Sequence, residues 1–585
     1  MIACSLRRVK VAQSLDRYRS PMLNSNSFAS LPRLSLLLAS LGMPLAGHTQ
    51  TTFRLAFPAT VSAGPITGRA YLFVARDDKS EPRNQSGSFR ESEPFFGIDV
   101  SALKPGESVT FDPSVPGFPL PSLDRLPAGD YFVQGMILPY TQFKRADGHT
   151  IWAHMDAGEG QRFNSAPGSL LSDVQKVRID PTRKTVTTLS LTKTLPPVAR
   201  IDDTPWVKRV RLTSRLASAF WNHPMPMGAV VLLPKGYDEN PTRRYPVVYT
   251  VGHFSERAPF GFTFEGCEEP ETAEARAARL ARTAREPGCE FQAAWTSGKV
   301  PEMIAVFIQH TTPFYDDSYV LNSANNGPYG DAITQELIPE IDKRFRTIAA
   351  PYARVLTGGS TGGWDVLALQ IHYPDVFAGA WSLYPDQLDF RNYQFGNIYA
   401  DSNAFTVADG SWLPREIPSS RSVEGLTDLT VREENQAELV IASRGRSGGQ
   451  WDGWAAAWAP VGADGYPQSP WDKRSGRIDR AVADAMKAKG YDLRDYVERN
   501  WSTIGPKLVG KLHVAVGDMD NYFLNLGVYR FETFLESTKE PGKGPYYGGT
   551  IQYGRPLKPH GWQPWSNQEL LQIMKRQIDG GATVP

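Results

Sequence analysis

The residues best suited to chemistry lie in Arg354-Val355-Leu356-Thr357-Gly358-Gly359-Ser360-Thr361-Gly362-Gly363-Trp364. A short apolar run leads into Gly-x-Ser-x-Gly, and a helical pattern through Val366, Leu369 and Gln370 follows it. Small residues at 358 and 362 let the chain reverse sharply between strand and helix, which pushes the Ser360 hydroxyl into the open. The Thr361 amide then stands at a helix N-terminus, where an oxyanion is favoured. Such a serine is suited to attack on a carbonyl carbon, provided an imidazole takes its proton and a carboxylate holds that imidazole's tautomer.

The pentapeptide recurs at Gly445-Arg446-Ser447-Gly448-Gly449, so context has to decide between the two. After Ser360 one helix and a return strand follow, as an elbow requires, whereas a Trp-, Gly- and Pro-rich stretch follows Ser447. Ser360 is therefore the expected nucleophile. Downstream histidines are His372, on the helix leaving the elbow, His513, inside a strand, and His560, in the loop Pro559-His560-Gly561-Trp562. The first two read as structural and His560 as the base. The acid is expected after the strand Leu512 to Val516, where Asp518 and Asp520 compete. Asp520 is preferred because Asp518 is well placed to close the turn or to cap a helix from Asn521. A second oxyanion amide is expected from Val251-Gly252-His253-Phe254, where Gly252 permits close backbone approach. The His253 imidazole either lines the pocket or is structural. Trp364, Tyr384 and Trp562 are candidates for the acyl pocket, with a plain core role as the alternative. No spaced metal-ligand set is present, His149 and His154 included, and no Lys-bearing phosphate loop, so no metal or cofactor is expected.

These residues need a scaffold. From residue 201 onward, apolar runs such as 228–233, 246–251, 303–309, 377–383 and 512–516 alternate with helical patterns. Continuous apolar runs suit parallel strands buried on both faces, so residues 201–585 predict an α/β domain, a mostly parallel sheet with helices on both faces. A stretch of about 385–506, rich in Trp, Gly, Asp and Arg, is too long for an ordinary connection and predicts a cap-like insertion. Trp451, Trp454, Trp458 and Trp471 within it hint at a large apolar substrate surface, core burial being the default. Before it, residues 51–197 show short alternating runs between Gly, Pro and Asp, the pattern of an antiparallel, Ig-like β-sandwich closed off by Leu195-Pro196-Pro197.

The chain has 585 residues, and its 63 Lys and Arg against 62 Asp and Glu carry no basic block, so nucleic acid is not an expected partner. The apolar run Leu34 to Ala46, flanked by Arg33 and Gly47, is too short to span a bilayer comfortably and reads as the core of an export leader over residues 1–47. The start is Met1 or Met22. The mature chain is expected in the periplasm or outside the cell with no membrane span, and there Cys267 and Cys289, flanking one helical stretch, are expected to pair as a disulfide. The oligomeric state is not legible.

Four pieces together resemble the esterase family of the α/β-hydrolase superfamily that includes esterase D, feruloyl esterases, mycolyltransferases and enterochelin esterases. They are Tyr245-Pro246-Val247-Val248-Tyr249 leading to Gly252, the elbow at Ser360, Gly517-x-x-Asp520, and His560-Gly561-Trp562 with Trp565. The resemblance implies an α/β-hydrolase fold, a Ser360-His560-Asp520 triad, and cleavage of a small or polymer-linked carboxylic ester through an acyl-enzyme. One departure is Gly252-His253, where the family often has His-Gly. Acyl transfer and peptide hydrolysis would use the same triad, and a non-catalytic binding role would use the N-terminal β-region.

Overall fold

The computed structural model describes residues 51–88, 90–154, 160, 162–180, 182–267, 271–315, 317–407 and 412–582, so the expected leader over 1–47 lies outside the described residues. The site rests on an eight-stranded sheet: β1 (Val207–Ser214), β2 (Met225–Leu232), β3 (Val247–Val251), β4 (Ile304–Gln309), β5 (Arg354–Gly359), β6 (Gly379–Leu383), β7 (Leu512–Gly517) and β8 (Thr550–Gly554). Their spatial order is β1-β2-β4-β3-β5-β6-β7-β8. From β4 onward every pairing is parallel. Every residue of β3 and of β6 is buried, which is why those segments read as unbroken apolar runs.

One expectation needs correcting. The apolar run at 228–233 suits a parallel strand, yet β2 runs antiparallel to both β1 and β4. An apolar run reports burial on two faces, not strand direction.

The N-terminal β-rich region forms a separate nine-stranded sheet. Its strand Thr185–Thr194 runs parallel to Thr51–Ala56 over Thr185 to Ser190, then turns through an irregularity at Leu191 to pair antiparallel with Leu170–Ser172. That parallel pair departs from the all-antiparallel expectation, and a strand that changes partners in this way lets one sheet fold over its own core. Phe53, Leu72, Phe96, Val133 and Leu189 fill that core.

Two further helices matter for the site: α1 (Thr361–His372), which leaves β5, and α2 (Val431–Ile441), which lies between β6 and β7. Helix α2 begins with a capping box, in which Thr430 accepts from the Glu433 amide and the Glu433 carboxylate accepts from the Thr430 amide. Its other end is closed by the N-terminal region. Arg69 donates to the carbonyls of Leu439 and Val440, and the Tyr71 hydroxyl donates to that of Ile441. These are carbonyls the helix itself leaves unpaired, and a cation there also suits the helix dipole. Ala437, Val440 and Ile441 pack on Tyr71, Phe73, Met136 and Leu138, the outer face of the N-terminal sheet.

Helix α3 (Gln450–Trp458) follows, and Trp451, Trp454, Trp458 and Trp471 are all buried in one core with Trp364 and Tyr319. The suggested apolar substrate surface is thus mostly interior. Cys267 and Cys289 are bonded as a disulfide.

Candidate active site

Strand β5 ends in a residue that most side chains avoid. Ser360 has φ 59° and ψ −125°, and the strain is held by its surroundings: its amide donates to the Leu383 carbonyl on β6, and its carbonyl accepts from the Gly363 and Trp364 amides of α1. A Cβ on Gly358 would lie 2.4 Å from the Gly362 carbonyl oxygen, and one on Gly362 would lie 1.9 Å from the Val251 carbonyl oxygen. Both positions require glycine because backbone meets backbone there.

Ser360 Oγ lies 3.0 Å from His560 Nε2, and His560 Nδ1 lies 2.7 Å from Asp520 Oδ2. With the ring proton on Nδ1 donated to the carboxylate, Nε2 is free to accept from the serine hydroxyl. The other Asp520 oxygen accepts from the Tyr522 and Leu524 amides, and the His560 amide donates to Asn521, so both members of the pair are fixed by backbone. Tyr384 and Tyr522 pack edge-on against the imidazole at 4.8 and 4.9 Å between centroids. Burial pulls the His560 pKa down, but the charge and hydrogen bond of Asp520, with the charge of Asp386, outweigh it, and the net shift is upward.

Asp518 instead accepts from the Lys558 amide and holds the loop that carries His560. The helix expected from Asn521 begins at Asn525. Ser447 stands apart from the sheet, its hydroxyl accepting from the Gly449 amide. His372 and His513 are desolvated by burial, which brings each to about 4 and keeps it neutral.

His253 follows β3 and faces the elbow. Its Nδ1 pairs with the buried Asp317 and its Nε2 lies 3.4 Å from Thr361 Oγ1. Thr361, Gly252 and His253 thus come together where β3 ends beside the start of α1. Nothing lies within 4 Å of a Cβ placed on Gly252, so its role is not forced by crowding.

The three aromatic candidates are not where the pocket is. Trp364 is fully buried beneath the elbow, packed on Tyr319 and Trp458. Tyr384 covers Gly359 and the flank of His560, and Trp562 covers Gly554. The cavity of about 240 Å³ that opens onto Ser360, His560 and His253 is walled instead by the insertion. Its aromatic members are Trp451, Trp454 and Tyr522, and its polar members are Asp386, Gln394, Glu434, Glu438 and Gln450.

These polar residues went unnoticed in the sequence. Asp386 Oδ2 accepts from Tyr319 at 2.9 Å, from Trp454 Nε1 at 3.0 Å, and from Gln450 and Thr361 at 3.3 Å. Glu434 accepts from Trp451 Nε1 at 2.7 Å, and Glu438 accepts from the Trp451 amide while pairing with Lys473. Burial raises the pKa of Asp386 and of Glu434. One signal was readable in retrospect: Glu434 and Glu438 fall at helical steps in the buried stripe of α2 that Val431, Ala437 and Ile441 define, where periodicity calls for apolar residues.

The strand order with one antiparallel neighbour beside a parallel run, and a strained serine between β5 and α1, define an α/β-hydrolase fold. A family description reading "Putative esterase" matches residues 222–436. The match includes Ser360 and ends before Asp520 and His560. No curated protein matches the chain. Among solved structures, a ferulic acid esterase is 15% identical, with 64% of this chain and 99% of that chain covered and a TM-score of 0.30. An S-formylglutathione hydrolase from Agrobacterium tumefaciens is 12% identical over 65% and 95% of the two chains, with a TM-score of 0.30. A feruloyl esterase module from Clostridium thermocellum complexed with sinapinate is 12% identical over 64% and 89%, with a TM-score of 0.27. Scores this low carry no argument about this chain. The family match supports ester hydrolysis.

Proposed function

We propose that the protein is an exported serine hydrolase that cleaves carboxylic esters through an acyl-enzyme. The observation that carries this reading is the imidazole of His560 standing between Ser360 Oγ at 3.0 Å and Asp520 at 2.7 Å, at the mouth of a cavity. Ser360 Oγ attacks the ester carbonyl while its proton passes to His560 Nε2, and Asp520 steadies the imidazolium that results. The tetrahedral oxyanion is held by the Thr361 amide and by one from Gly252 or His253, each donor lowering the barrier by about 3 to 4 kcal/mol. His560 then gives its proton to the leaving alkoxide. Water, deprotonated by the same imidazole, releases the acid and restores the serine. No cofactor enters any of these steps.

The reading includes a leader over residues 1–47, a β-domain over 51–197 and a catalytic domain over 201–585. Hydrolysis of p-nitrophenyl acetate, butyrate and octanoate by wild type, Ser360→Ala and Ser447→Ala tests it. Loss confined to the Ser360 variant is the expected result. Unchanged activity in that variant would overturn the mechanism.

A further inference from the structure

The wall of the cavity opposite the triad has a chemistry that hydrolysis itself does not need. Asp386, Glu434 and Glu438 all face the cavity, and among the described residues no Lys or Arg lines it. Lys473 lies behind Glu438, where it is shared with Asp452. The direct partners of Asp386 and Glu434 described above are neutral donors: hydroxyl, indole and amide groups. Two carboxyl groups are thus set into a buried wall without a cation in contact, which costs stability unless something else compensates it.

A second observation points the same way. Gln394 is 4% exposed, lines the cavity, and its amide oxygen has no hydrogen-bond partner among the described residues. Its backbone is held at φ 57°, in the left-handed region that a side chain of this size avoids. An orphaned acceptor in a strained, buried position is expected where a ligand supplies the donor. The wall therefore presents one unmet acceptor and two carboxyl groups without a cation in contact, and indole and phenol rings of Trp451, Trp454 and Tyr522 stand beside them. Acceptors, negative charge and aromatic rings in one small cavity are together the complement of an organic ammonium group.

We infer that this cavity binds a protonated amine carried by the ester substrate, on either its acyl or its alcohol part. This inference rests on the esterase reading of Ser360 given above. Binding of the cation favours the ionised forms of Asp386 and Glu434, which burial alone disfavours, so the ligand supplies the positive charge that the lining residues do not. An ammonium has three donors and no acceptor, which suits a wall in which Gln394 and the carboxylates offer oxygens.

The test uses isosteres. On the acyl side these are the 2-naphthyl esters of alanine, lactate and isobutyrate, in which an ammonium, a hydroxyl and a methyl group occupy the same position. On the alcohol side they are 2-(dimethylamino)ethyl butyrate and 3-methylbutyl butyrate. At neutral pH, kcat/KM for the ammonium member of at least one series is expected to exceed that of its methyl isostere by roughly tenfold. In Glu434→Gln, which keeps an acceptor for Trp451, that ratio is expected to fall toward one. A ratio near one in both series, or one unchanged in the variant, overturns the inference while leaving ester hydrolysis standing. Where the acyl series carries the preference, lactate hydrolysed as well as alanine also overturns it, in favour of a neutral polyol. Calorimetric titration of butylammonium and of butanol into wild type and Glu434→Gln gives a readout independent of turnover. Labelling of Ser360 by a fluorophosphonate separates failure of the esterase reading from failure of this one. Stronger binding of the amine, lost in the variant, is the expected result, and equal binding of the two ligands overturns the inference.

Discussion

The two walls of the cavity are built in different ways. On one side Ser360, Asp520 and His560 each sit on a short connection directly after a strand of the parallel sheet, β5, β7 and β8, where the Ser360 amide donates to Leu383 on β6, Asp520 accepts from the Tyr522 and Leu524 amides, and the His560 amide donates to Asn521 beside Asp520. On the other side Glu434, Glu438 and Gln450 project from helices of a long insertion, and α2 among these is held at its far end by Arg69 and Tyr71 of the N-terminal region. The proposed catalytic side is positioned by the sheet. The recognition side is positioned by contacts hundreds of residues apart in sequence. Chemistry and selectivity should therefore respond to different substitutions.

The largest effects belong to the catalytic side. Ser360→Ala is expected to lower kcat by roughly 10⁴ to 10⁶-fold, measured on p-nitrophenyl butyrate, with Ser447→Ala close to wild type. Asp520→Asn should cost about 10⁴-fold by leaving the imidazole in the wrong tautomer, while Asp518→Asn, which only loosens the loop around Lys558, should cost less than about tenfold. Comparable losses in the two aspartate variants would blur the distinction drawn between them.

A smaller effect belongs to the recognition side. Arg69→Ala leaves carbonyls of Leu439 and Val440 without their donor, and a destabilisation of about 1 to 3 kcal/mol is expected in denaturant titrations. Its kinetic signature should be a raised KM with kcat nearly kept, since α2 carries no member of the triad. A fall in kcat at constant KM would show that the two walls are not separable.

The smallest effect is a shift on the pH axis. His560 must be neutral to accept the serine proton, and its pKa is raised above 6.5, so kcat/KM should be lost as pH falls through a midpoint higher than 6.5. Asp386 contributes to that raised value, so Asp386→Asn should move the midpoint downward, as read from a pH–rate profile.

Legibility in the sequence followed the same division. The turn at Ser360 is legible because the strand, the glycines and the helix are contiguous, and the proposal of His560 rests on chain order with few histidines to choose from. Asp520 over Asp518 was a choice between neighbours that depends on how one turn closes, and the hydrogen bond to His560 at 2.7 Å goes to Asp520. The direction of β2 was not readable, because burial of both faces leaves the same pattern in either orientation. The recognition wall was not readable either. Asp386, Gln394 and Gln450 belong to no motif, and of the aromatic candidates for the pocket Trp364 and Tyr384 pack around the elbow while Trp562 covers Gly554 at the end of β8. A tryptophan announces buried area, but not which face of it a ligand meets.

The contact between Gly362 and the Val251 carbonyl oxygen, where a Cβ would come to 1.9 Å, reaches beyond the turn it permits. It sets the gauge between the start of α1 and the end of β3, the two pieces of backbone from which the proposed oxyanion donors come. With no side chain between them, they form one joint rather than two facing parts. Motion that widened the site on one side would have to carry the other along, so the spacing of the donors survives fluctuations that would disturb two independent loops. The hydrogen atom in place of a side chain at 362 acts as a spacer of fixed thickness, and any larger residue there would reset the width of the slot into which the carbonyl oxygen must fit.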